Sequence, residues 1–208
     1  MGMKRIIKNI IGIIIALVVI YNSVYFRPLD EELSKGKEIA FDAKSFVDGI
    51  WKNELLNVYD SAIDLTTLLT QLRENPEQTF AREAQALGIG NIGFFKVKGE
   101  GTVLGVNENN VLVRVGDQTI EIEMEFIFGN GVRDASGLIE ANDYDKTADF
   151  NSISESINEK IRQEVIPEFR TKVAKDNKVI FKGALELNKV HLDLSQPEVI
   201  PVSIQIIQ

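Results

Sequence analysis

Arg133 and Asp134 stand side by side in a stretch with glycines at 129, 131 and 137. An arginine presents a planar fork of donors that suits a carboxylate or a sugar hydroxyl. A neighbouring aspartate is either a second binding group or the arginine's own counter-ion. Glycines nearby let a ligand or a backbone approach closely. Ion pairs are commonly architectural, so the internal salt bridge tying down its loop is favoured over the binding pair. Asn151 and Asn158 lie seven positions apart, share one face of a helix and can join either arrangement.

Other constellations carry less. Asp143, Asp145 and Asp149 have the opening spacing of a calcium loop, but Ala148 stands where its glycine belongs and Ser154 where its last glutamate belongs. A solvated turn explains them, with Asp149 as an N-cap or first-turn acid. His191 is the single histidine; it lies near Asp193, and no G-x-S-x-G elbow supplies a nucleophile. Glu121, Glu123 and Glu125 alternate along a strand and read as a solvated face. Gly99-x-Gly101 lacks the third glycine of a nucleotide fingerprint. Zero cysteines exclude disulfides, thiolate zinc sites and cysteine nucleophiles, and one histidine excludes a multi-histidine metal site. No catalytic residue, metal or cofactor is assigned.

The elements that must position these residues follow from periodicity. Asp42 is a candidate N-cap for a helix carrying Phe46, Val47, Ile50, Trp51, Leu55, Val58 and Tyr59. A second apolar series runs from Ala62 to Leu72, and Asn75-Pro76 opens a short helix to about Leu87. Strand patterns follow at Gly93–Lys98 and Gly101–Val106, with Gly99 and Gly101 marking a bulge or sharp bend in one long strand, and then at Val111–Val115. A clear alternation places Ile120, Ile122, Met124, Phe126 and Phe128 on one buried face. A Gly- and Asp-rich stretch, 129–149, precedes a helix through Phe150, Ile153, Ile157, Ile161 and Val165, which Pro167 kinks or ends. Strands Lys178–Leu187 and Val199–Ile207 close the chain. The fold class is α+β. A helix between the third and fourth of five strands is the element order of an OB-type Greek-key barrel. The expected division is 1–27, 28–90 (helical region packing on the barrel) and 91–208 (barrel).

The apolar segment Ile6–Phe26 covers 21 positions, and a bilayer-spanning helix needs about 20. Lys4, Arg5 and Lys8 place its N-terminus in the cytoplasm and the remainder outside. No A-x-A-like cleavage site follows, which favours an uncleaved single-pass anchor over a signal peptide. The net charge of −8 divides unevenly. Residues 1–27 hold four basic residues and no acid, leaving 19 basic against 31 acidic residues, a net of −12, beyond them. An acidic domain repels phosphate backbones, so nucleic acid is excluded as a partner.

Four segments resemble one bacterial family. They are Phe41-Asp42 with Phe46, Val47, Ile50 and Trp51; Val97-Lys98-Gly99-Glu100-Gly101-Thr102-Val103; Gly131-Val132-Arg133-Asp134-Ala135 with Phe150-Asn151 and Asn158; and Phe181-Lys182-Gly183-Ala184 with Pro201-Val202. Together they resemble domain of unknown function 2291, predicted periplasmic lipoproteins. The resemblance implies an extracytoplasmic OB-like barrel without an assigned activity, associated with sugar or solute uptake. The chain departs from it in having no cysteine to acylate, so the helix would replace the lipid as anchor.

The expected function is a non-enzymatic, membrane-anchored periplasmic module that binds a small polar ligand or an envelope or transporter partner. Its candidate binding residues are Arg133, Asp134, Asn151, Asn158 and Lys98. The alternatives are an enzyme acting on envelope carbohydrate through carboxylates such as Asp134 and Asp143, and a structural envelope scaffold.

Overall fold

A computed structural model describes Val18, Tyr21, 41–85 and 90–207. The expected membrane segment 6–26 lies outside the described residues except at Val18 and Tyr21. Among the described residues no helix is long and apolar enough to cross a membrane. The chain divides into two units, Met1–Phe41 and Asp42–Gln208; the second contains everything below.

Helix α1 (Ala43–Ile50) starts where Asp42 accepts the Ser45 N–H at 3.0 Å. It continues through a wide π turn, Trp51–Leu55, into α2 (Leu56–Asp60). Val47, Trp51, Leu55 and Tyr59 are buried at strict four-residue steps. Such a stripe drifts by about 40° per step on an α-helix, and the wide turn takes up part of that drift. Asp64 caps α3 (Leu65–Glu74) by accepting from the Thr67 N–H. Asn75 caps α4 (Pro76–Glu83), with Pro76 in the first turn as expected. That helix stops at Glu83, short of the expected end near Leu87, which lies outside the described residues.

The barrel strands are β2 (Ile92–Val106), β3 (Asn110–Val115), β4 (Gln118–Glu123), β5 (Lys178–Asn188) and β6 (Glu198–Ile207). They run in the order β2-β3-β4-β6-β5, and β2–β5 pairing closes the barrel. All contacts are antiparallel except β4–β6, where Glu121 and Ile122 pair with Glu198 and Val199. A two-residue strand β1 (Ile63–Asp64) flanks β2 in parallel at Val97 and Lys98. The long strand expected through Gly99 and Gly101 runs for 15 residues. It pairs with β5 from Ile92 to Thr102 and then with β3 from Thr102. Gly101 stands at that handover: a Cβ there would lie 2.5 Å from the Arg114 carbonyl oxygen. The register shift falls later, between Val103 and Gly105.

Helices fill the β4–β5 crossover. They are α5 (Gly131–Ser136), α6 (Thr147–Lys160), a second π turn, Ile161–Val165, and α7 (Ile166–Arg170). Pro167 sits in the first turn of α7, directly after the wide turn. A proline lacks the N–H and crowds the carbonyl four residues back, and a widened turn relieves both problems. Ile153, Ile157 and Ile161 are fully buried and continue the barrel core of Phe95, Val113, Ile120 and Phe181.

Two sequence expectations fail around β4. The alternation does not reach Phe128: the strand ends at Glu123, and Phe126 and Phe128 are 58% and 63% exposed. Glu123 is also not on a solvated face. It is 4% exposed, and its Oε1 accepts the N–H groups of Met124, Glu125 and Phe126 at 3.0, 2.8 and 2.7 Å. A carboxylate gathering three successive amides curls the backbone and ends ladder pairing. The Gly- and Asp-rich stretch contains α5, all six residues of which are buried. It ends on Gly137 at φ +66°, a conformation suited to glycine.

Candidate functional site

Arg133 is 3% exposed at the centre of α5. Its Nε donates to Asp134 Oδ1 at 2.7 Å and its Nη1 to the Phe150 carbonyl at 3.0 Å. The guanidinium carbon stands 3.6 Å from the Phe150 ring centroid. Asp134 also accepts from Asn130 Nδ2. Arg133–Asp134 is thus a buried salt bridge within α5, and the Arg133 contacts with Phe150 join α5 to α6. Asp134 is 5% exposed and engaged on both sides, while Asp143 ends an exposed 3-10 turn, Ala141–Asp143.

Arg133 also lines a cleft of about 490 Å³. Phe128, Gly129 and Asn130 form one wall, and Asn151, Ser154, Glu155, Asn158 and Arg162 form the other. The second wall is a helical stripe. Positions 151, 154, 155, 158 and 162 follow three- and four-residue steps, opposite the buried Ile153, Ile157 and Ile161. Asn158 Nδ2 donates to the Gly129 carbonyl at 2.7 Å and fixes the distance between the walls. Arg162 donates to the Ile127 carbonyl and lies 5.4 Å from the Phe128 ring centroid.

Ser154 is 7% exposed, and its buried hydroxyl has no hydrogen-bond partner among the described residues. A helical serine usually donates to the carbonyl four residues back. Here that carbonyl belongs to Phe150 and accepts from Arg133.

A second cleft of about 330 Å³ meets the first at Phe128, and Phe126, Gly131, Ala184, Glu186, Glu198 and Ile200 line the rest of it. Glu186 and Glu198 lie one step beyond the Leu185–Val199 pair of β5 and β6. Burial and then the Asp134 charge push the Glu186 carboxyl above the usual range. Burial and then the charges of Glu123, Glu121 and Glu186 do the same to Glu198.

Of the expected site residues, Arg133, Asn151 and Asn158 meet at one cleft and Asp134 lies behind Arg133. Lys98 does not join them: its ammonium donates to the Asp60 carbonyl at 3.0 Å, beside the Lys182–Asp60 ion pair. His191 is exposed, and its backbone N–H donates to Asn188. Among the described residues no three acidic or histidine side chains are placed to hold a metal ion, the aspartates 143, 145 and 149 included. Sequence reasoning missed Phe128, Asn130, Ser154, Glu155 and Arg162. The polar stripe 151–162 was readable by extending the Asn151–Asn158 step; Phe128 was hidden by the strand pattern.

The family described as Predicted periplasmic lipoprotein (DUF2291) matches residues 14–205. No curated protein matches the chain. Among solved structures, an OB-fold protein from Thermotoga maritima MSB8 is similar at 25% identity and a TM-score of 0.72. The likeness covers 81% of this chain and 99% of that one.

Proposed function

The chain belongs to the predicted periplasmic lipoprotein family, domain of unknown function 2291, and from that premise we propose a non-enzymatic extracytoplasmic binding module. Residues 6–26 hold it at the inner membrane in a single pass with the N-terminus in the cytoplasm. With no cysteine to acylate, this segment does the work of a lipid. The module takes a small polar ligand in the Arg133 cleft and supports solute uptake beside an envelope or transporter partner.

One observation carries the ligand reading: Arg133, Asn151, Ser154 and Asn158 converge on one concave space, and Ser154 has a buried hydroxyl without a partner there. Ligand sites are concave and hold a few placed polar groups. Asp134 supports the non-enzymatic reading, because a carboxylate enclosed by Arg133 and Asn130 is not free to transfer protons.

The test is native mass spectrometry of the full chain released from membranes in mild detergent. The expected result is a co-purified small molecule that Asn151→Ala loses while the protein stays folded. Equal spectra for both proteins, with no retained molecule, would overturn the ligand reading. A C-terminal alkaline phosphatase fusion tests the location: activity is expected, and an inactive, stable fusion would place the domain in the cytoplasm.

A further inference from the structure

Resting on the reading of this cleft as a ligand site, we infer that its ligand presents a carboxylate to Arg162, Arg133 and Ser154. Three side chains there, Arg133, Arg162 and Ser154, present donors to it. Arg133 uses Nε and Nη1 on Asp134 and Phe150, which leaves its Nη2 to face a ligand. Arg162 is half-buried and bonds the Ile127 carbonyl through Nη1 alone. No carboxylate pairs with Arg162 among the described residues, although Arg82, Arg133 and Arg170 each have one. Ser154 adds a hydroxyl with no partner.

Guanidinium groups donate and never accept, so the part of a ligand that faces them must be an acceptor. An acceptor-only group with charge matches them, and a carboxylate fits the planar fork of an arginine. Asp134 offsets Arg133 from behind, with its oxygens turned to Arg133 and Asn130. Glu155, the one acid of the lining, is exposed. Arg162 is therefore the cation left to meet a ligand's charge. Phe128, close to Arg162 and 63% exposed, offers an apolar face to the ligand's body.

The test compares acetate with its neutral isostere acetamide on the full chain in detergent micelles, read by NMR of ¹⁵N-labelled arginine and asparagine side chains. The expected result is a saturable shift of the Arg162 and Asn151 signals at a concentration about tenfold lower for acetate than for acetamide. Arg162→Gln should erase that preference. Equal saturable response to both probes overturns the carboxylate but leaves the cleft a polar-ligand site. No saturable response to either probe overturns both readings. An acetate shift that is no larger at Arg162 than at the exposed Arg82 and Arg170 also overturns the proposal, since it reports only general ion pairing.

Discussion

Arg133 and Phe150 are joined twice: the guanidinium donates to the Phe150 carbonyl at 3.0 Å and packs 3.6 Å from the centroid of the same residue's ring. That double contact positions α6 against α5, and with it the polar stripe that walls the cleft. A lysine could supply a charge but not the planar group that stacks, donates to Phe150 and forks to Asp134 together.

Arg133→Ala should therefore damage the fold as well as the site. It leaves the Asp134 carboxylate buried without its partner, and removing one member of a buried pair costs about 3–5 kcal/mol. Asn151 is exposed on the cleft wall, so Asn151→Ala should change stability by less than about 0.5 kcal/mol. Urea unfolding of the two variants checks the contrast; equal losses would contradict the assignment of Arg133 as the structural tie.

Ser154→Ala should stabilise the ligand-free protein by about 1 kcal/mol, because it removes an unsatisfied buried hydroxyl. Alanine also suits a helix better than serine. Thermal melts without added ligand measure this, and a clear fall in the melting temperature would mean that the hydroxyl already has a partner.

Tyr59 is fully buried and donates to the Val132 carbonyl at 2.9 Å, linking the first helical run to α5. Tyr59→Phe should cost about 1 kcal/mol at neutral pH. Burial, with the Asp134 charge behind it, raises the Tyr59 hydroxyl far above the normal value of 10.0. The unfolded chain then loses a proton that the folded chain keeps as pH rises past 10.0, so stability falls there. Tyr59→Phe should flatten that alkaline fall, as denaturant midpoints across pH 9–11 will show.

Glu186 and Glu198 titrate in the same sense. Their folded values are raised from 4.5. Their contribution is complete below 4.5 and is lost as pH rises through the folded values. Glu198→Gln should raise the melting temperature at neutral pH and weaken the decline above pH 4.5. A variant whose melting temperature shifts equally at every pH would contradict a Glu198 carboxyl raised by burial and by the charges of Glu123, Glu121 and Glu186.

Much of the scaffold was legible because it depends on local rules. Asp42 and Asn75 cap helices because short polar side chains reach the free amides, whatever surrounds them. Strand alternation marked β3, β5 and the start of β4. The same rule misled beyond Glu123, where hydrophobic Phe126 and Phe128 continue the pattern but not the strand. Periodicity reports which faces could be buried; it does not report that Glu123 will gather three backbone amides. Helix α5 was unreadable for a related reason. All six of its residues are buried, so no solvent-facing polar side remains to mark a period.

The sequence alone determined the α+β class, the element order, the family and the uneven charge, with −12 lying beyond residue 27. It also named Arg133, Asn151 and Asn158, because residue type and helical step are properties of the chain. Tertiary structure decided what those residues share. Closure of β2 on β5 and the docking of α5 beneath α6 bring Phe128, Arg133, Ser154 and Arg162 to one cleft and send Lys98 to Asp60 instead. Burial decided the rest: it paired Arg133 with Asp134, left Ser154 without a partner and raised Glu186 and Glu198. Those outcomes depend on desolvation and on charges brought together from distant positions, which no local pattern encodes.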